Sequence, residues 1–143
     1  MEPTSFFGKK ILPVLTEIRK TEEMVKYDKV DGDEFITLAE KGFYLHSKNG
    51  TGVIFDCRIY ITDTDDCLAA SDFIRGKFSS VNSISDVEAM IGSCASEIRS
   101  IKIPNRPATL PGKLFIDGNH ILKFFFDDVG GIKYFHINRR DLL

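Results

Sequence analysis

Apolar and polar positions change period several times along the chain, and each change marks an element. Ile11, Leu15, Ile18 and Val25 recur at near-helical spacing, with Val14 widening the stripe. They predict an amphipathic helix over residues 9–27, with Glu17, Arg19, Lys20, Glu22 and Glu23 on its wet face. Pro13 fits only a first turn, so the regular helix starts close to it. A polar turn at residues 28–34 and a short strand at 35–38 follow. Residues 42–47 and 52–62 then read as a hairpin. Along its second strand Val53, Phe55, Cys57, Ile59 and Ile61 point one way, and Ile54, Asp56, Arg58, Tyr60 and Thr62 the other. A three-residue loop, Lys48-Asn49-Gly50, sets Leu45 opposite Val53 and Phe43 opposite Phe55. The opposite face then carries Tyr44, His46, Ile54, Asp56, Arg58 and Tyr60.

Residues 63–76 form an acidic connection, in which the apolar piece 73–78 predicts an edge strand. A second helix starts after Ser83 or Ser85. Ser85 with Glu88 makes a capping box, Val87, Met90 and Ile91 the apolar stripe, and Gly92 the stop. Residues 98–103 alternate as a strand, and Pro104, Pro107 and Pro111 mark a stiff loop. A three-stranded meander closes the chain: 113–116, a turn at 117–119, 120–126, a turn at 127–131, and 132–138. Leu122, Phe124 and Phe126 are core candidates, while Lys123 and Phe125 share a partly wet face. The length of the last turn leaves the facing of Tyr134 and His136 open. The pattern predicts one α+β domain over residues 1–143. Its antiparallel sheet has about five to seven strands, with the N-terminal helix and a second short helix packed on one face.

Composition narrows the function classes. The chain has 143 residues, 43% hydrophobic and 28% charged, with 12 Phe and no Trp, so its core is expected to be built on phenylalanine. Nineteen Lys and Arg against 21 Asp and Glu give a net charge of −2, which argues against direct nucleic-acid binding. No apolar run reaches membrane-spanning length, and the first residues lack the layout of a secretory signal, so a cytoplasmic chain is expected without a membrane partner. Cys57, Cys67 and Cys94 are odd in number and widely spaced, which speaks against a disulfide framework.

No catalytic, cofactor or metal site is expected. Cys57, Cys67, Cys94, His46, His120 and His136 lack the close pairs of a zinc site, although one register brings His120 and His136 together across the last hairpin. No serine sits in a Gly-x-Ser-x-Gly elbow, and Cys57 falls on a core face. Asp127 and Asp128 belong to a turn, and no glycine pattern resembles a phosphate cradle.

Charge distribution is the distinctive feature. Residues 28–72 hold ten acids and four bases, a net of −6, whereas residues 1–27 carry +1 and residues 73–143 carry +3. This acidity lies beside aromatic residues of the hairpin. The predicted partner-binding set is Tyr44, Asp56, Arg58 and Tyr60, with Asp63, Asp65 and Asp66 at the strand end. Such acids steer a basic protein partner, and the tyrosines anchor it.

The order of elements adds a resemblance. A leading helix precedes Gly42-Phe43-Tyr44-Leu45-His46-Ser47-Lys48-Asn49-Gly50 and the long strand at 53–61. The helix Ser85-Asp86-Val87-Glu88-Ala89-Met90-Ile91-Gly92 follows. Leu114-Phe115-Ile116-Asp117-Gly118, residues 122–128 and Gly130-Gly131-Ile132 close the chain. Over residues 9–137 this resembles the small cytoplasmic immunity proteins of bacterial toxin systems, pyocin-type and contact-dependent growth inhibition systems among them. The resemblance implies a non-enzymatic monomer or weak homodimer that binds and neutralises one cognate toxin domain, often a nuclease, without a cofactor. Two alternatives stand beside it. One is a ligand-binding or enzymatic domain with a Phe/Tyr-lined pocket gated by His120 or His136. The other is an adaptor that pairs through an edge strand.

Overall fold

The computed structural model describes all 143 residues. Its strands are β1 (Lys26–Val30), β2 (Asp33–Leu38), β3 (Phe43–Ser47), β4 (Ile54–Tyr60), β5 (Ser96–Ile98), β6 (Gly112–Asp117), β7 (His120–Phe126) and β8 (Ile132–Arg139). They form one antiparallel sheet of eight strands, one more than the upper bound expected, in the order β1-β2-β3-β4-β8-β7-β6-β5. The sheet is therefore two four-stranded meanders joined at their last strands. At this seam Asp56 faces Asn138, Arg58 faces His136 and Tyr60 faces Tyr134.

Helices α1 (Ile11–Arg19), α2 (Asp72–Arg75) and α3 (Ile84–Ile91) send their buried side chains into one core on one face of the sheet. Ile11, Val14, Leu15 and Ile18 of α1 meet Ile36, Leu38, Phe43 and Leu45 in that core. Phenylalanines build the other half. Phe124 stacks on Phe135 with centroids 5.0 Å apart, and Phe78 approaches both edge-on.

Several expectations change. The first helix ends at Arg19, not near residue 27, because the stripe ends: the positions three and four beyond Ile18 are Thr21 and Glu22. Residues 26–34, expected as helix end and polar turn, form most of a hairpin. Its two-residue turn is Asp31-Gly32, both with positive φ (52° and 87°), the geometry that pulls two strands into a tight, twisted pair. Residues 73–78 are helical and not an edge strand. Ile74 and Phe78, four apart, are buried while Phe73 is exposed, and the Ser71 hydroxyl caps the turn at the Ile74 N–H.

The capping box is Ser83 with Asp86, not Ser85 with Glu88. Main-chain bonds from Ile84 N–H to Gly130 and from Ile132 N–H to Asn82 fix the earlier start. The strand expected at 98–103 stops at Ile98. Its partner there is Gly112, and Pro111 has no N–H to extend the ladder. Phe126 is half-buried, not core, because the β7–β8 register shifts between Phe125 and Phe126.

The β3–β4 hairpin keeps the expected odd-with-odd pairing but slides by four residues: Leu45 faces Cys57 and Phe43 faces Ile59. A bulge at Phe55 then reverses two side chains. Ile54, expected outward, is in the core, and Phe55, expected inward, packs against His46 with centroids 4.8 Å apart.

Candidate functional site

The sheet face away from the helices gathers the polar side chains of β3, β4 and β8. Alternation places Tyr44 and His46 there from β3, Asp56 and Arg58 from β4, and Tyr134, His136 and Asn138 from β8. Asp56 is the hub. Its Oδ1 accepts from Asn138 Nδ2 at 2.6 Å and contacts His136 Nδ1 at 2.9 Å, while its Oδ2 lies 3.1 Å from His46 Nδ1. His46 Nε2 continues to Asp33 Oδ2 at 3.2 Å. Asp56 is only 4% exposed, so this carboxylate is wholly engaged inside the protein.

The partners fix the proton positions. Arg58 Nε donates to His136 Nε2 at 2.9 Å, and a guanidinium has no acceptor atom. His136 must therefore accept at Nε2 and donate from Nδ1 to Asp56, which makes it a neutral ring. His46 differs, because both its nitrogens face carboxylates, and satisfying both requires hydrogen on each. Burial pushes the His136 pKa down; the Asp56 carboxylate opposes this and Arg58 and Lys123 reinforce it. Burial alone would raise the Asp56 carboxyl, but its contacts with His136 and then His46 outweigh that and hold it at about 2.

Beside the hub, the Arg58 guanidinium lies among three phenol rings. Its carbon is 4.0 Å from the Tyr134 centroid, 5.2 Å from Tyr44 and 5.9 Å from Tyr60. Arg58, Tyr44 and Tyr60 form the floor of an open cleft of about 560 Å³. Met24, Val25, Val30 and Phe35 supply apolar wall, and Glu23, Asp28 and Asp66 are its acids. Lys26, also in the wall, pairs with Asp28 at 3.6 Å.

Of the predicted partner-binding residues, Tyr44, Arg58, Tyr60 and Asp66 thus meet at one cleft. Asp56 shares their face but is buried and self-contained, not part of an exposed acidic patch. Asp63 instead shapes the loop, its Oδ1 accepting from Ala69 N–H at 2.7 Å. Asp65 is exposed on that loop and does not line the cleft. His120 and His136 do not meet: His120 pairs with Arg139, and His136 with Lys123 and Arg58. His120 lines a separate cleft of about 320 Å³ on the helix side, with Phe73, Arg75 and Lys77.

Sequence reasoning missed Tyr134, Asn138 and Asp33 as members of the site, and named His136 only as a metal candidate or pocket gate. The alternation Tyr134, His136, Asn138 was visible, but which face it occupies depended on the β4–β8 pairing. No group of three or more His, Cys, Asp or Glu side chains is arranged to hold a metal ion, the three cysteines are unpaired, and no helix is long and apolar enough to cross a membrane.

Comparison with known proteins adds a fold and no activity. No family model matches the chain, and no curated protein does. The crystal structure of a cysteine-rich secretory protein from Staphylococcus aureus subsp. aureus Mu50 superposes on it with a TM-score of 0.51 at 15% identity. The match covers 100% of this chain and 48% of that one, so the chain spans about half the length of its neighbour. At that identity the likeness concerns architecture alone.

Proposed function

We propose that this chain is an immunity protein that binds and neutralises a cognate bacterial toxin domain, acting by docking and not by catalysis. The observation that carries the reading is the cleft on the sheet face opposite the helices. It combines an aromatic floor of Tyr44 and Tyr60, apolar walls, and the acids Glu23, Asp28 and Asp66. An apolar cleft inside an acidic rim suits a protein partner with basic residues at its contact; Met24 and Tyr44 offer it apolar surface, while Tyr60, 4% exposed, only closes the base. The two histidines support a binding role. Each has both ring nitrogens engaged by protein groups, which leaves neither free as a general base. The toxin as partner comes from the resemblance in element order.

The test is growth rescue. The C-terminal domain of an exported protein, if one is encoded immediately upstream of this chain's reading frame, is expressed with and without the chain. Rescue together with co-purification is the expected result; full toxicity in the presence of folded chain would overturn the reading. A second reading, a small-ligand site, is favoured by the size of the cleft and its single convergent guanidinium.

A further inference from the structure

The surroundings of Arg58 deepen the docking reading, and the role inferred for this residue rests on that reading. Its Nε is engaged by His136, but its two terminal nitrogens donate to no carboxylate or main-chain oxygen, and no carboxylate stands within 4.0 Å of the guanidinium. Asp56, two residues away on the same strand face, holds His46, His136 and Asn138 instead. Tyr60, whose hydroxyl interacts with the guanidinium, is a neutral phenol: burial raises its pKa by more than the Arg58 charge and hydrogen bond lower it. The cation therefore has no counter-ion. It is also held in place: the Nε bond to His136 sets its plane, Tyr134 packs against one side, and Tyr44 and Tyr60 flank it. A fork fixed in this way and open to a cleft has the geometry for bidentate pairing with an oxyanion.

We infer that Arg58 receives a carboxylate of the docked polypeptide, from an acidic side chain or chain end flanked by basic residues. Charge balance selects the carboxylate. The cleft holds this one unpaired guanidinium and three acids, with Lys26 already beside Asp28. A monoanion matches that single cation, whereas a phosphate dianion would face the unpaired acids Glu23 and Asp66 with no second free cation. Those two unpaired acids call for cations on either side of the incoming carboxylate. Recognition thus has a centre and a rim of opposite sign, a pattern that rejects partners that are basic throughout.

The experiment uses the full isolated chain, labelled with nitrogen-15, and follows the Arg58 Nε–H and Tyr134 signals. The probes are a capped Lys-Leu-Glu-Leu-Lys peptide, its Gln counterpart, phenylacetate, phenylacetamide and inorganic phosphate. The Glu peptide is expected to shift both signals and to bind about tenfold tighter than the Gln peptide, with phenylacetate weaker than the Glu peptide and phenylacetamide inert. Arg58→Lys keeps the charge but loses the fork, and Tyr134→Leu keeps the fork but loses its platform. Each is expected to weaken Glu-peptide binding about tenfold, with folding checked by thermal melting.

Equal binding of the Glu and Gln peptides overturns the inference, as does tighter binding of phosphate. Phenylacetate binding more tightly than the Glu peptide would assign the site to a small acid and overturn the polypeptide source. Because no toxin is present, a null titration alongside successful growth rescue removes only the role of Arg58, whereas failed rescue removes the docking reading itself.

Discussion

Arg58 and His136 sit opposite each other at the seam of the two meanders, joined by a 2.9 Å bond from the guanidinium Nε to the imidazole Nε2. One residue comes from the last strand of the first meander and the other from the last strand of the second. The bond links the buried hub at Asp56 to the open cleft. A carboxylate that would otherwise neutralise the arginine is held by the histidines, and the arginine is left facing outward.

Asp56 is expected to be a stability residue. Asp56→Asn replaces an acceptor that serves Asn138, His136 and His46 at once, and its amide N–H₂ would oppose one of those donors. Breaking a buried network of this kind costs on the order of 3 kcal/mol. Urea unfolding of the variant checks this. A midpoint within error of the wild type would show that the network contributes little.

Acid is expected to destabilise the protein in two stages. The folded-state pKa of His136 is lowered, so its contribution is full above its unfolded value of about 6.5 and is lost as pH falls below it. The groups facing the ring are Asp56 and Arg58 from β4, Lys123 from β7, and Tyr44 from β3. Asp56, held at about 2, contributes stability that is full above ~4 and lost toward pH 2, on the order of 2 kcal/mol. Chemical denaturation from pH 7 down to pH 3 reads the first stage. His136→Gln should flatten the segment just below about pH 6.5.

Loop 61–71 is held against β3 so tightly that Gly42 has no room for a side chain. A Cβ there would lie 2.5 Å from both Ala70 N and Leu68 O, and the residue has φ +80°. Two main-chain bonds, Leu68 N–H to Ala39 and Ala70 N–H to Tyr60, hold the loop and with it Asp66. Gly42→Ala is expected to destabilise by about 2 kcal/mol and to raise proteolysis within the loop. Unchanged melting and cleavage would contradict that packing.

Partner association should respond to the cleft acid and not to the hub. Asp66 is exposed, so Asp66→Lys should leave the melting temperature unchanged while slowing association with the toxin domain about tenfold at low salt. Stopped-flow rates across salt concentrations check this. A salt-independent rate, equal in variant and wild type, would remove Asp66 from the encounter.

Much of the architecture was legible because local signals agreed with tertiary context. The β7 boundaries, the Gly92 stop and the odd-numbered core face of Leu45, Cys57 and Ile59 follow from period and turn chemistry. Register was not legible. A bulge at Phe55 exchanges the facing of Ile54 and Phe55, and no local pattern announces it. The Asp31-Gly32 turn was a readable signal obscured by the charge around it. Tyr44, Asp56, Arg58 and Tyr60 could be placed on one face because they share one hairpin. Tyr134, His136 and Asn138 could not, because their position depends on a contact between residues about eighty apart in the chain.

The most direct test of docking through the open sheet face is calorimetric affinity for the toxin domain, compared between exposed positions on opposite sides of the molecule. Met24 lines the cleft at 64% exposure, and Leu12 lies on α1 at 55%. Met24→Lys is expected to weaken binding at least about tenfold and Leu12→Lys to leave it unchanged. The reverse ranking, with Leu12→Lys harmful and Met24→Lys silent, would place the partner on the helices and contradict the account.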